Sequence, residues 1–169
     1  GQTASITIDS AGTLGDVKPL GVSNDGTIAG EYLDAGYSRR AFRWTLAGGA
    51  LDLGTLGGRE SSANAISTDG NTVAGWAHNG ESVRRAFAWN AASGMVDLGS
   101  LRPDNDGTSV ATATSPDGKI IVGLAETRTG ETRPFIVRYE AVDPGDPVDP
   151  VDPVDPVDPV DPVDPVDPV

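Results

Sequence analysis

The chain reads as an all-β protein of three four-stranded antiparallel repeats, propeller-like or β-prism-like, followed by a polyproline II tail. Three observations predict this class. One frame of residues returns three times, at a period near that of a four-stranded propeller blade. Each return sets an Asp-Gly pair between short β-prone runs, the strongest local signal for a hairpin. The 22 Gly, with no stretch of helical periodicity, argue against long helices.

The frame opens with Val22-Ser23-Asn24-Asp25-Gly26 and closes on Ile28-Ala29-Gly30. It returns as Ile66-Ser67-Thr68-Asp69-Gly70 with Val73-Ala74-Gly75, and again as Thr114-Ser115-Pro116-Asp117-Gly118 with Ile121-Val122-Gly123. Asp25, Asp69 and Asp117 stand 44 and then 48 residues apart. Ser23, Ser67 and Ser115, two residues ahead of each Asp, are placed to bond the turn backbone. Downstream come Arg40-Ala41-Phe42-Arg43-Trp44, Arg85-Ala86-Phe87-Ala88-Trp89 and a degenerate Arg133-Pro134-Phe135. Phe42 and Trp44 are two apart and share one face of a strand, as do Phe87 and Trp89. That spacing favours Trp44 and Trp89 as core between units over stacking on a sugar, and Phe135 stands with them as a repeat-defining structural residue. Leu51-Asp52-Leu53-Gly54 and Val96-Asp97-Leu98-Gly99 follow the first two copies.

These landmarks divide a body, residues 1–142, into units of about 17–58, 59–103 and 104–140. The third unit never reaches an Asp-Leu-Gly segment. Its counterpart stands at the other end, as Ala11-Gly12-Thr13-Leu14-Gly15, preceded by a strand-like Ser5-Ile6-Thr7-Ile8. The N-terminal strand, 4–16, is therefore expected to complete the last unit and hide its edge. Within one chain this makes a compact ring or prism; between chains it makes a head-to-tail polymer.

From Asp143 to Val169 the chain is almost pure Val-Asp-Pro. Pro fixes φ, removes a donor and pushes the preceding residue to extended conformations, which leaves polyproline II. At about 3.1 Å per residue the tail would span roughly 84 Å, with Asp, Val and Pro on separate edges. Nine of the Asp lie here, so the formal charge of −13 is mostly the tail's; the body has 16 acidic against 12 basic residues. With only two Lys, Lys18 and Lys119, the body lacks the clustered cations of a nucleic-acid surface. There is no Cys, which excludes disulfides and thiolate metal sites, and no apolar run of about 20 residues for a membrane helix. A first residue other than Met, and a last one inside a running repeat, suggest processing of a longer precursor.

No catalytic, cofactor or metal site emerges. His78 stands alone, aligns near Leu33 and Arg128, and reads as a surface-loop residue. Asp104-Asn105-Asp106-Gly107 resembles half of a Ca²⁺ loop but lacks its closing acidic residue, so an Asp-rich turn is expected. Asp34, Glu31, Glu81 and Glu126 sit in variable connections. Arg40, Arg85 and Arg133 recur, as do Asp52 and Asp97, and cross-strand Arg–carboxylate pairs would fix register. Trp76 with Arg40, Arg85 and Arg133 are the candidates for a ligand-facing role.

These residues resemble the HAF-type extracellular repeat family of bacteria. Its pattern is followed by Leu53 to Gly58, Ser67 to Gly70, Val73 to Gly75, Arg85 to Trp89 and Asp97 to Gly99, with Arg where the family often has His. The resemblance covers residues 11 to 139. It implies a secreted or outer-surface protein, often an autotransporter passenger, and no activity. The expectation is a non-enzymatic structural or adhesive module, self-associating through strand exchange or tail docking, with the tail as stalk or strap. Its host or cell-surface ligand is not specified; the alternative is a carbohydrate-binding module, and behind it a glycan hydrolase.

Overall fold

The computed structural model describes residues 16–138, which form eleven strands and, within that span, no helix. β1 (Val17–Val22), β2 (Ile28–Leu33), β3 (Arg39–Thr45) and β4 (Gly49–Gly54) pair in chain order as one antiparallel sheet. β5 (Gly57–Ile66), β6 (Val73–Asn79), β7 (Arg84–Asn90) and β8 (Gly94–Asp97) form the second. β9 (Ser109–Thr114), β10 (Ile120–Glu126) and β11 (Thr132–Arg138) form a third sheet of three strands. The all-β class is as expected. The expected strand at 4–16 lies outside the described residues except for Asp16, whose carbonyl accepts from Leu33 N at 3.1 Å beside β1.

Side-chain alternation gives each sheet two faces. In the first sheet Ile28 pairs with Trp44, Gly30 with Phe42 and Tyr32 with Arg40, so the aromatic residues share one face. Ala29 and Ala41 occupy the other. In the second sheet Val73, Phe87, Trp89 and Ala77 are turned toward the first, where they pack with Ala29, Ala41 and Leu53 in one buried cluster. Ala74, Ala86 and Ala88 on its opposite face pack with Ala111 and Ile121 of the third sheet. Each junction thus sets bulky residues of a later sheet on alanines of the one before. The small residues let the first strand of the next sheet approach closely: β5 lies on β1, β2 and β3, and β9 on β5, β6 and β7. The expected core role of Trp89 agrees with this packing, and the Arg43 guanidinium lies 5.9 Å from the Trp89 ring.

Gly30, Gly75 and Gly123 answer to a different requirement. A Cβ at these positions would stand 2.1, 2.0 and 2.1 Å from the carbonyl oxygens of Lys18, Ser62 and Val110. The register of each first strand shifts beside them, between Pro19 and Gly21, Ala63 and Ala65, and Ala111 and Ala113. Each bulge drives a backbone carbonyl into the space a side chain would fill.

Candidate functional site

The recurring polar residues gather at two levels of the body. The first is the row of Asp-Gly turns. Ser23 N donates to Thr27 O at 2.9 Å and Gly26 N to Ser23 O at 3.2 Å, closing a tight turn. Ser23 Oγ donates to Asp25 and accepts from Thr27 N at 3.0 Å, while Asp25 Oδ1 accepts from the same N–H at 3.0 Å. Ser67 and Asp69 repeat this with Thr72 N and Asn71 N; Ser115 and Asp117 repeat it with Ile120 N and Lys119 N. Gly26, Gly70 and Gly118 sit at φ of 81°, 72° and 72°, the left-handed region the turn needs. The expected Ser-to-backbone bond is present, and the Ser-to-Asp bond, which spacing did not suggest, joins it. Hydrogen bonds from Ser23 and then Thr27 hold Asp25 down at about 2; Asp69 and Asp117 are lowered chiefly by Ser67 and Ser115.

The three turns also bond to one another. Asn24 N donates to Thr68 O at 2.9 Å, and Thr68 N donates to Pro116 O at 2.9 Å. Asn24, Asp25, Thr68, Asp69, Pro116 and Asp117 line an open depression along this ladder. Each carboxylate there is engaged by its own turn.

The second level is the Arg–Asp clamp. Arg85, 1% exposed, sends Nε to both Asp97 oxygens at 3.1 and 3.3 Å. Its Nη1 donates to the carbonyls of Asn105 and Gly107 at 2.6 and 2.7 Å, and Nη2 to Asn105 Oδ1. In the first sheet Arg40 meets Asp52 at 3.0 Å, Tyr32 OH donates to the same carboxylate at 2.9 Å, and Arg40 Nε is buried without a hydrogen-bond partner among the described residues. The difference lies in the connections: residues 98–108 loop over Arg85, whereas only Thr55 and Leu56 separate β4 from β5. In the third sheet Arg133 instead meets Glu131 at 2.7 Å and stays exposed. Hence the three Arg do not present one common face. Arg85 is enclosed, against its reading as ligand-facing, because the 98–108 loop supplies carbonyls for its guanidinium.

Trp76 is also enclosed, at 7% exposure, with the Arg84 guanidinium 4.1 Å from its ring. His78 lies on β6, not in a surface loop, with its ring 5.3 Å from that of Trp76. Its third-sheet counterpart by pairing is Glu126. Glu31 and Glu126 likewise stand on β2 and β10 rather than in connections, paired with Lys18 and Arg102 respectively. Asp104-Asn105-Asp106-Gly107 is an Asp-rich turn: Arg102 reaches Asp104 at 3.2 Å and Asp106 at 2.7 Å, and Asn105, at φ 54°, is turned onto Arg85. Bonding to Arg102 lowers Asp104 to about 2, while its hydrogen bond with Asp104 raises Asp106.

Sequence reasoning missed one pair of residues altogether. Ser61 Oγ accepts from Ala41 N at 2.9 Å and donates to Gly54 O at 2.6 Å. Ser109 Oγ accepts from Ala86 N at 2.8 Å and donates to Gly99 O at 2.5 Å. Both are buried, and each staples the first strand of one sheet onto the sheet before, Ser61 onto β3 and β4 and Ser109 onto β7 and the residues just after β8. Only their placement two residues after Arg59 and Gly107 could have flagged them, and that carries no chemical signal. No family model and no curated protein matches the chain.

Proposed function

We propose that this chain is a non-enzymatic structural or adhesive module of the extracellular space or bacterial surface, a propeller-like body carried on its Val-Asp-Pro stalk. One observation carries the reading: the recurring Ser, Asp and Arg residues of the first two sheets are spent on turns, staples and clamps. The repeated chemistry therefore serves architecture, and recognition falls to the variable connections. The burial of Trp44, Trp76 and Trp89 removes the ring faces on which a sugar would stack, which weighs against the carbohydrate-binding alternative. An N-terminal strand beside β11 would give the third sheet its fourth strand.

The test pairs a turnover screen with a cell-binding assay. The full chain, immobilised through its tail, should retain cells or matrix while showing no hydrolysis of glycosides, esters or peptides. Turnover that survives purification and disappears in Glu81→Gln or Glu126→Gln, with the fold intact, would overturn the proposal.

A further inference from the structure

Two backbone N–H donors recur where each sheet joins the next, and both belong to the earlier sheet, while the serines that accept from one of them donate back to Gly54 O and Gly99 O. A turn N–H of the earlier sheet donates to a turn carbonyl of the later one, as Asn24 does to Thr68 and Thr68 to Pro116. An Ala N–H of the earlier sheet donates to a serine hydroxyl of the later one, as Ala41 does to Ser61 and Ala86 to Ser109. The strand pairings fix what stands at the same places in the third sheet. Gly30, Gly75 and Gly123 face Phe42, Phe87 and Phe135, so the residue before each Phe is Ala41, Ala86 and Pro134. The turn donors are Asn24, Thr68 and Pro116. Proline has no N–H, so both outward donors are missing from the third sheet.

The first sheet is altered at the matching place. Ser61 pairs with Ala77 and Ser109 with Ala125; the equivalent pairing in the first sheet is Val17 with Tyr32. Val17 offers no hydroxyl to a preceding sheet. That sheet's aromatic face is already closed, with Phe42 fully buried and Tyr32 and Trp44 at 8% exposure. Bulk completes the change at the far end. Val122 occupies the position of Ala29 and Ala74, the small residues under β5 and β9, and Ile136 that of Arg43 and Ala88.

We infer that the sheet of β9–β11 is the terminal unit of an open three-sheet stack. Neither a fourth sheet nor the first sheet of a second copy docks on it as β5 docks on β1–β3. Pro134 still permits a fourth strand beside β11, because the corresponding Ala41 and Ala86 N–H groups go to serine rather than to the neighbouring strand. Any self-association must then use the tail or a strand exchanged beside β11 instead of continuing the stack. The inference goes beyond the proposed function and does not depend on it.

Sedimentation velocity and electron microscopy on the full chain test it, alongside a variant carrying V17S, P116T, P134A, V122A and I136A. The native chain should stay at the mass of one chain, or form assemblies that vanish when residues 143–169 or residues 1–15 are deleted. The variant should gain concentration-dependent, end-to-end species. Native filaments or rings that persist when both segments are deleted would overturn the terminal assignment. A folded variant that adds no assembly would overturn these residues as its cause. Should the variant fail to fold, the native result alone still decides.

Discussion

At the scale of single residues, the two sets of recurring glycines are retained for different reasons, and substitution separates them. Gly75→Ala puts a Cβ 2.0 Å from Ser62 O, where only backbone movement relieves the clash. We expect a loss of about 3 kcal/mol by urea denaturation, at the upper end of overpacking costs. The turn carboxylates give a second residue-scale prediction. Asp25, Asp69 and Asp117 all have folded-state values below the unfolded carboxylate near about 4. Their stabilisation is therefore present above that pH and lost as the pH falls through the folded values, toward about 2 for Asp25. Ser23→Ala removes the largest cause and should shrink the pH-dependent part. NMR titration of the Asp25 carboxyl checks this; an ordinary value in the native chain would refute it.

At the scale of elements, sheet-to-sheet joining depends on few atoms. Ser61→Ala strands the Ala41 N–H and the Gly54 carbonyl at a buried junction, with an expected cost of about 2–4 kcal/mol. Hydrogen exchange should then rise at Ala41 while the Asp-Gly turns remain protected. The two Arg–Asp clamps should differ sharply. Arg85→Ala leaves Asp97 and two loop carbonyls unpaired and should cost about 3–5 kcal/mol, whereas Arg40→Ala, at a more exposed pair, should cost about 1 kcal/mol. Paired unfolding curves for the two variants measure the contrast.

At the scale of the whole molecule, the stack is directional and its charge is uneven. With nine Asp in the tail, the body is close to neutral by comparison. If the tail is a stalk, deleting residues 143–169 should shorten the particle by tens of ångströms, out of the roughly 84 Å an extended tail spans, and leave the urea midpoint in place. Small-angle scattering and a denaturation curve report the two quantities together. A midpoint that falls with the deletion would show the tail bound to the body instead.

Much of this was legible in the residues themselves. Asp-Gly with Ser two positions earlier specifies a turn through local bonds, so three hairpins could be placed from sequence. Alternation put Phe and Trp on one face of each strand, because the pleat has a period of two. What sequence could not show is every contact between residues far apart in the chain. Ser61 and Ser109 are unremarkable in their strands and become staples only when a backbone N–H of another sheet faces them. Arg40 and Arg85 occupy equivalent positions, yet Arg85 is clamped and enclosed while Arg40 keeps a nitrogen without a partner among the described residues, a difference made by the 98–108 loop. Pro116 and Pro134 look like degeneration of the pattern along the chain. Only once the sheets are stacked do they stand where an outward donor would be. Local bonding fixed the hairpins; the distribution of buried donors and acceptors between sheets was decided by tertiary packing.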